Sequence, residues 1–325
     1  MTSERPNRVS VIDPITPAID RVKLLLFQPF DLGRWFVIGF CAWLAYLGSG
    51  GGGPPGGGPR YNVPRKPPEQ QKAQIEEGIN TAKEFVLDNL HWIIPVAVIV
   101  AALIIGIALV ITWLNSRGKL MFLHCVAGNR AEIKVPWYKF RKHGNSLFLF
   151  RVVLGIISFA IVGLPLLGIV LLIVMTVIGN VPNVVSITGI IVFGFFIFVI
   201  VFALSIVLFL VKKLTFDFVV PVMFLRTTSC VAGWHEFLTI LSANKLRFAL
   251  YLFFQIVIAI AIGAIIGIGF CIGCCLCCAS CLLLIPYIGT VILLPLLVFK
   301  RAYSLYYLQQ FGPDFNVFRP ETDTI

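Results

Sequence analysis

The chain has 325 residues, of which 58% are hydrophobic and only 13% charged, and its mean hydropathy is +0.94. A soluble domain carries about a quarter charged residues, so this composition excludes an ordinary soluble globular protein. The formal net charge is +11. The basic residues flank apolar runs, where an anionic leaflet rather than nucleic acid is the natural partner.

Residues 1–31 are expected to form a cytoplasmic N-terminal segment. The first eleven residues are polar and read as loose. From Thr16 to Phe27 the pattern predicts an amphipathic helix lying on the membrane surface, with Thr16 as N-cap and Pro17 at the first helical position. Its apolar stripe is Ile15, Ile19, Val22 and Leu26. Pro29 ends it, and Asp31 is placed to cap the next helix. No cleavable signal is expected, because the first apolar run begins near Trp35, behind a charged segment.

Six membrane spans are predicted, at about 32–47, 92–114, 146–174, 187–211, 246–270 and 281–299, making 32–299 one all-helical membrane domain. Span 1 is short for a full crossing. The Gly/Pro-rich outer loop 48–68 follows it, and a helix over 69–90 leads into span 2. Pro165, Pro221, Pro286 and Pro295 are expected helix breaks. A short uncharged loop at 179–183 joins spans 3 and 4. Residues 300–325 form a C-terminal tail, in which the last helix continues past Lys300 through Tyr303, Tyr306 and Tyr307. Tyrosines there suit the membrane interface.

Lys and Arg are distributed unevenly between the two sides of this scheme. Twenty-one lie on the side of the termini, including Arg117, Arg130, Lys139, Arg141, Lys142, Lys212 and Arg226. Five, all in the loop after span 1, lie on the other. The positive-inside rule then places both termini in the cytoplasm of a multi-pass cell-membrane protein.

The cytoplasmic segments resemble one another. Met121-Phe-Leu-His124, Met223-Phe-Leu-Arg226 and Val298-Phe-Lys-Arg301 end the even spans. Asp31, Asn145 and Asn244 begin the odd ones, with Trp137-x-x-Phe140 and Trp234-x-x-Phe237 ahead of two of them. Three repeated two-helix units would produce this pattern. The competing reading is that basic exits and Asn or Asp caps are generic to any positive-inside hairpin.

Candidate chemistry is sparse. Cys271, Cys274, Cys275, Cys277, Cys278 and Cys281 cluster without His, Asp or Glu nearby. Three readings stay open: small apolar residues for close packing, disulfide or redox chemistry, and metal, in that order. Gln255 is the most polar residue deep in a span, suited to an interhelical hydrogen bond or a solute contact. Arg151 can snorkel to the cytoplasmic surface. No Asp, Glu, Lys or His is expected mid-membrane, which disfavours an ion-coupled pump. His91, His124, His143 and His235 are scattered, and no catalytic signature appears. No catalytic, cofactor-binding or metal-ligating residues are therefore assigned, and the chain is not expected to be an enzyme.

The stretch Asp217-Phe-Val-Val-Pro221-Val-Met-Phe-Leu-Arg226, with Trp234-His-Glu-Phe237 and Asn244, resembles uncharacterised bacterial six-helix integral membrane proteins. So do Pro29 to Trp35 with the glycine tract, and Pro286-Tyr-Ile-Gly-Thr290 to Ser304. The pattern is also distantly similar to the membrane domain attached to some glycerophosphodiester phosphodiesterases. That enzyme's catalytic domain has no counterpart here. Two functional expectations follow. One is a non-enzymatic component that organises anionic lipids through Trp137, Tyr138, Lys139, Arg141 and Lys142, with a protein partner or a second copy of the chain as further partners. The other is a permease or export component for a small or amphipathic solute, working through Gln255 and the kinked spans.

Overall fold

The computed structural model describes residues 9–48, 88–178, 184–275 and 285–318. Among them the helices are α1 (Ile15–Leu26), α2 (Leu32–Tyr46), α3 (Leu90–Gly128), α4 (Lys134–Lys139), α5 (Arg141–Ser158), α6 (Leu164–Ile178), α7 (Val184–Leu214), α8 (Val220–Arg226), α9 (Cys230–Ala243), α10 (Lys245–Cys275), α11 (Pro286–Ile292) and α12 (Leu294–Gln309). Wide π-helical turns at Phe159–Gly163 and Thr215–Val219 join α5 to α6 and α7 to α8. No strand occurs among the described residues. Gly53–Ile111 form one compact unit; Met1–Gly52 and Thr112–Ile325 form the other. The glycine tract, the helix expected over 69–90 (but for its last residues) and the 179–183 loop lie outside the described residues.

Among the described residues, four helical stretches are long and apolar enough to cross a membrane: His91–Gly128, Arg141–Leu171, Gly194–Arg226 and Lys245–Gly269. Successive side chains in them, such as Val98, Ile99 and Val100, are exposed. A helix apolar on every face needs lipid or protein around it. Two of the six expected spans take a different form. Helix α2 has 15 residues and is about 22 Å long, less than the roughly 30 Å of a hydrocarbon core. The last expected span breaks at Leu293 into α11 and α12, and residues 281–284 of it lie outside the described residues. Pro286 and Pro295 therefore start helices instead of kinking one, as suits a residue with no N–H to donate.

The packed core gathers at the charged ends of the helices. It is built from α1, α2, the last two turns of α3, α8 to α10 and α12. Water-facing ends are held by burial of apolar surface, whereas lipid removes that drive between spans. Phe218, Phe237, Phe248, Tyr251 and Tyr307 stack or meet edge to face in its centre. Tyr303 and Tyr307 are fully buried, so they are core residues and not the interfacial anchors that their position suggested.

Helix α1 packs along α12. Its buried face is Ala18, Leu25 and Leu26 with Ile15 and Val22 beside them, while Ile19 is 42% exposed. The expected stripe is thus turned slightly, because α12 and not a membrane surface defines the inside. Pro14, not Thr16, holds the N-cap position. Residues 9–11 are held as well: Ser10 and Gln310 exchange two hydrogen bonds, and the Tyr303 hydroxyl donates to the Val11 carbonyl. Arg21 donates to the Val126 and Ala127 carbonyls at the C-terminus of α3, and Arg34 to Asn129 just beyond. Both satisfy a helix end that would otherwise leave carbonyls unpaired.

Of the expected caps, Asp31 accepts from the Gly33 N–H. Asn145 instead lies inside α5 and accepts from Trp113 and Arg117. Asn244 sits between α9 and α10 and donates to the Ile240 carbonyl.

Candidate functional site

Helix α7 leads into the second π-helical turn because of Pro221. The Val220 N–H reaches back five residues to the Thr215 carbonyl. Pro221 has no N–H. The Phe216 carbonyl therefore loses both donors that a helix could give it. Arg301 of α12 takes it, with Nη1 2.6 Å away. The wide turn also sets Asp217 inside the bundle, 2% exposed.

Asp217 closes a ring of polar contacts. Lys213 Nζ lies 2.7 Å from its Oδ2 and 3.2 Å from Gln255 Oε1. Gln255 donates to the Tyr251 hydroxyl at 2.9 Å, and that hydroxyl donates to Asp217 at 3.2 Å. Each donor in the ring meets an acceptor, which suits a buried network. Gln255 thus takes the interhelical role expected of it, bridging α10 to α7.

The charges around this ring do not balance. Arg301 is 1% exposed and its guanidinium lies 4.6 Å from the centre of the Phe216 ring. Lys119 of α3 stands 4.7 Å from the centre of the same ring. Arg151 is held by Asn115 and Ser116. Asn115 in turn donates to the Ala45 and Leu47 carbonyls at the end of α2. Among the described residues, no carboxylate lies within 4.0 Å of Arg301, Lys119 or Arg151. Arg301 Nε and Nη2 are buried without a hydrogen-bond partner. An arginine keeps its proton in proteins, so Arg301 is a buried cation.

Sequence reasoning named Gln255 and Arg151 but missed the centre that joins them. It ended the fourth span at residue 211, whereas the helical stretch Gly194–Arg226 runs on and carries Lys213 and Asp217 near its end. The available signal was the four-residue spacing of Lys213 and Asp217 with Pro221 four further on.

The histidines do not assemble. His124 is buried against Phe140 and Phe224, His143 faces the Thr228 carbonyl, and His91 and His235 are not drawn into the core. No group of three His, Cys, Asp or Glu is placed to hold a metal ion among the described residues. Cys271 is an exposed free thiol. Cys277, Cys278 and Cys281 lie outside the described residues, as do the side chains of Cys274 and Cys275. A pair absent from the sequence reading is Cys41 with Cys125, whose sulfurs lie 3.8 Å apart in the α2–α3 contact.

A family of unknown function, DUF7544, matches residues 9–286. The chain belongs to that family. The match takes in the Asp217–Arg226 stretch and Gln255 but stops before Arg301. It says nothing of a bacterial origin or of the phosphodiesterase membrane domain. No curated protein and no solved structure matches the chain.

Proposed function

We propose that this protein is a multi-pass cell-membrane component, without enzymatic activity, that gathers anionic lipids at its cytoplasmic face. In this reading the four long helices cross the bilayer, while α2 and the α11–α12 pair supply the two shorter crossings of a six-span scheme. Both termini face the cytoplasm. The observation that carries the lipid reading is a basic, aromatic surface at the start of the Arg141–Leu171 span. Tyr138 is 74% exposed, and Lys139, Arg141 and Lys142 lie beside it at the surface. Trp137 is pinned behind them against Trp113 and Arg117. Such a surface, next to a span, suits anionic headgroups at about 1 kcal/mol per basic residue. An open groove of about 390 Å³ between Leu214, Leu238, Leu241, Phe248 and Leu252, lined also by Lys245, has the character of an acyl-chain track.

The threefold repeat is kept as part of the proposal. Met121, Met223 and Val298, the first residues of the three matching exits, are all at most 1% exposed. The differing roles of Asp31, Asn145 and Asn244 weigh against it.

The test is enrichment of phosphatidylglycerol over phosphatidylcholine around the protein in mixed nanodiscs. Replacing Lys139, Arg141 and Lys142 by Gln should reduce enrichment and its salt sensitivity; unchanged enrichment would count against the lipid reading. A second reading, a permease, draws on the Lys213–Asp217 pair and Gln255, because charged groups inside a span mark solute paths by default. Gln255→Leu would then abolish flux of the solute, and retained flux would remove that path.

A further inference from the structure

The buried centre holds more positive charge than its own residues neutralise, and that excess has a direction. In an arginine, Nε and Nη2 form one edge of the guanidinium, able to give two parallel hydrogen bonds to two oxygens of one anion. In Arg301 that whole edge is unpartnered and buried, while Nη1 is spent on the Phe216 carbonyl. Asp217, the carboxylate of the polar ring, is engaged by Lys213 and Tyr251. Lys119 stands 4.7 Å from the centre of the same Phe216 ring.

We propose that Arg301 and Lys119 form a binding site for one phosphate group, with the unpartnered edge of Arg301 as its bidentate floor and Lys119 as its lid. Lys119 is half-buried and has no carboxylate to hold it among the described residues. Its flexible stem can withdraw to admit an anion and return to cap it. The compact ammonium of Lys119 adds a donor out of the guanidinium plane, which suits a tetrahedral phosphate better than a planar carboxylate. The phosphate comes either from a phospholipid headgroup or from free phosphate. The first source deepens the lipid reading above, and the second is independent of it.

The experiment uses the full chain, delipidated in a non-ionic detergent, with Lys119→Gln and Arg301→Lys as variants. One arm follows thermal unfolding as inorganic phosphate is titrated against sodium chloride of equal ionic strength. The other counts phospholipids retained by native mass spectrometry after transfer from nanodiscs of phosphatidylglycerol and phosphatidylcholine. The wild type should show a saturable phosphate shift, or retain one phospholipid per chain. Lys119→Gln should weaken either by tenfold or more. Comparing variants removes the general stabilisation that phosphate salts give any fold. Arg301→Lys keeps the charge and loses the two-point edge, so it too should bind weakly; if it does not fold, Lys119→Gln decides alone. Phosphate binding without lipid retention assigns the free anion, and supports the site while removing its link to the lipid reading. Retention without a phosphate response assigns the headgroup. Failure of both, or binding by Lys119→Gln equal to wild type, overturns the site. The belt of Lys139, Arg141 and Lys142 plays no part here, so its test fails or succeeds separately.

Discussion

Replacing Asp217 by asparagine removes the carboxylate from the polar ring while keeping its shape. The new amide oxygen would still accept from the Tyr251 hydroxyl, so the loss falls on Lys213. The pair is well inside the protein, with side-chain exposures of 18% for Lys213 and 3% for Asp217. Removing one partner of a buried pair costs about 3–5 kcal/mol, because the other charge is left uncompensated. Lys213 retains some access to solvent, and Gln255 still accepts from it, which sets the expectation at the lower end, about 3 kcal/mol. Lys213→Met on the same background removes the stranded charge. The double variant should therefore be more stable than Asp217→Asn alone, with about 2 kcal/mol of coupling, well beyond the roughly 0.5 kcal/mol scatter of independent sites. The assay is unfolding in mixed micelles of denaturing and non-denaturing detergent, followed by tryptophan fluorescence and circular dichroism. Additive single and double variants, or a loss under about 0.5 kcal/mol for Asp217→Asn, would refute the picture of one carboxylate holding a surplus of positive charge.

Three further outcomes follow from the packing. A Cβ at Gly118 would come within 2.5 Å of the Leu44 backbone, so Gly118→Ala should force α2 from α3 and cost about 1–3 kcal/mol in the same unfolding assay. Asn115→Leu removes two hydrogen bonds to the end of α2 and the partner of Arg151, and should cost about 2–3 kcal/mol with early loss of α2 protection in hydrogen exchange. Burial pushes the Cys230 thiol up to about 12, so it should resist maleimide at neutral pH in the native protein and react once the chain is denatured.

Much of the architecture is visible in the chain because apolar length is a strong signal. The spans around Val98, Val153, Phe202 and Ile260 stand out, and α10 was bounded within a residue at its start. Asp31 was legible as a cap because its type and place are specific. The fates of Ile19, Tyr303 and Tyr307 were not, since each depends on which helix packs against it. α12 covers the face of α1 that a membrane surface was expected to cover. The buried centre was hidden for a related reason. Asp217 stands at the end of an apolar run, where a charge reads as solvated, and only the π-helical turn before Pro221 swings it inward. Arg301 is far along the chain from the Phe216 carbonyl that Pro221 leaves vacant, so no local pattern links them. Arg21 and Arg34 counted as basic flanks in the sequence; in the fold they close the C-terminal end of α3.

The most direct test of the account is the sidedness of the chain. Compartment reporters placed at the N-terminus, within 48–68, within 179–183 and at the C-terminus would read it. The account predicts both termini in the cytoplasm and both loops outside. Termini on opposite sides of the membrane, or a cytoplasmic 179–183 loop, would contradict the six-span arrangement and with it the cytoplasmic placement of the basic surface and the Arg301 centre.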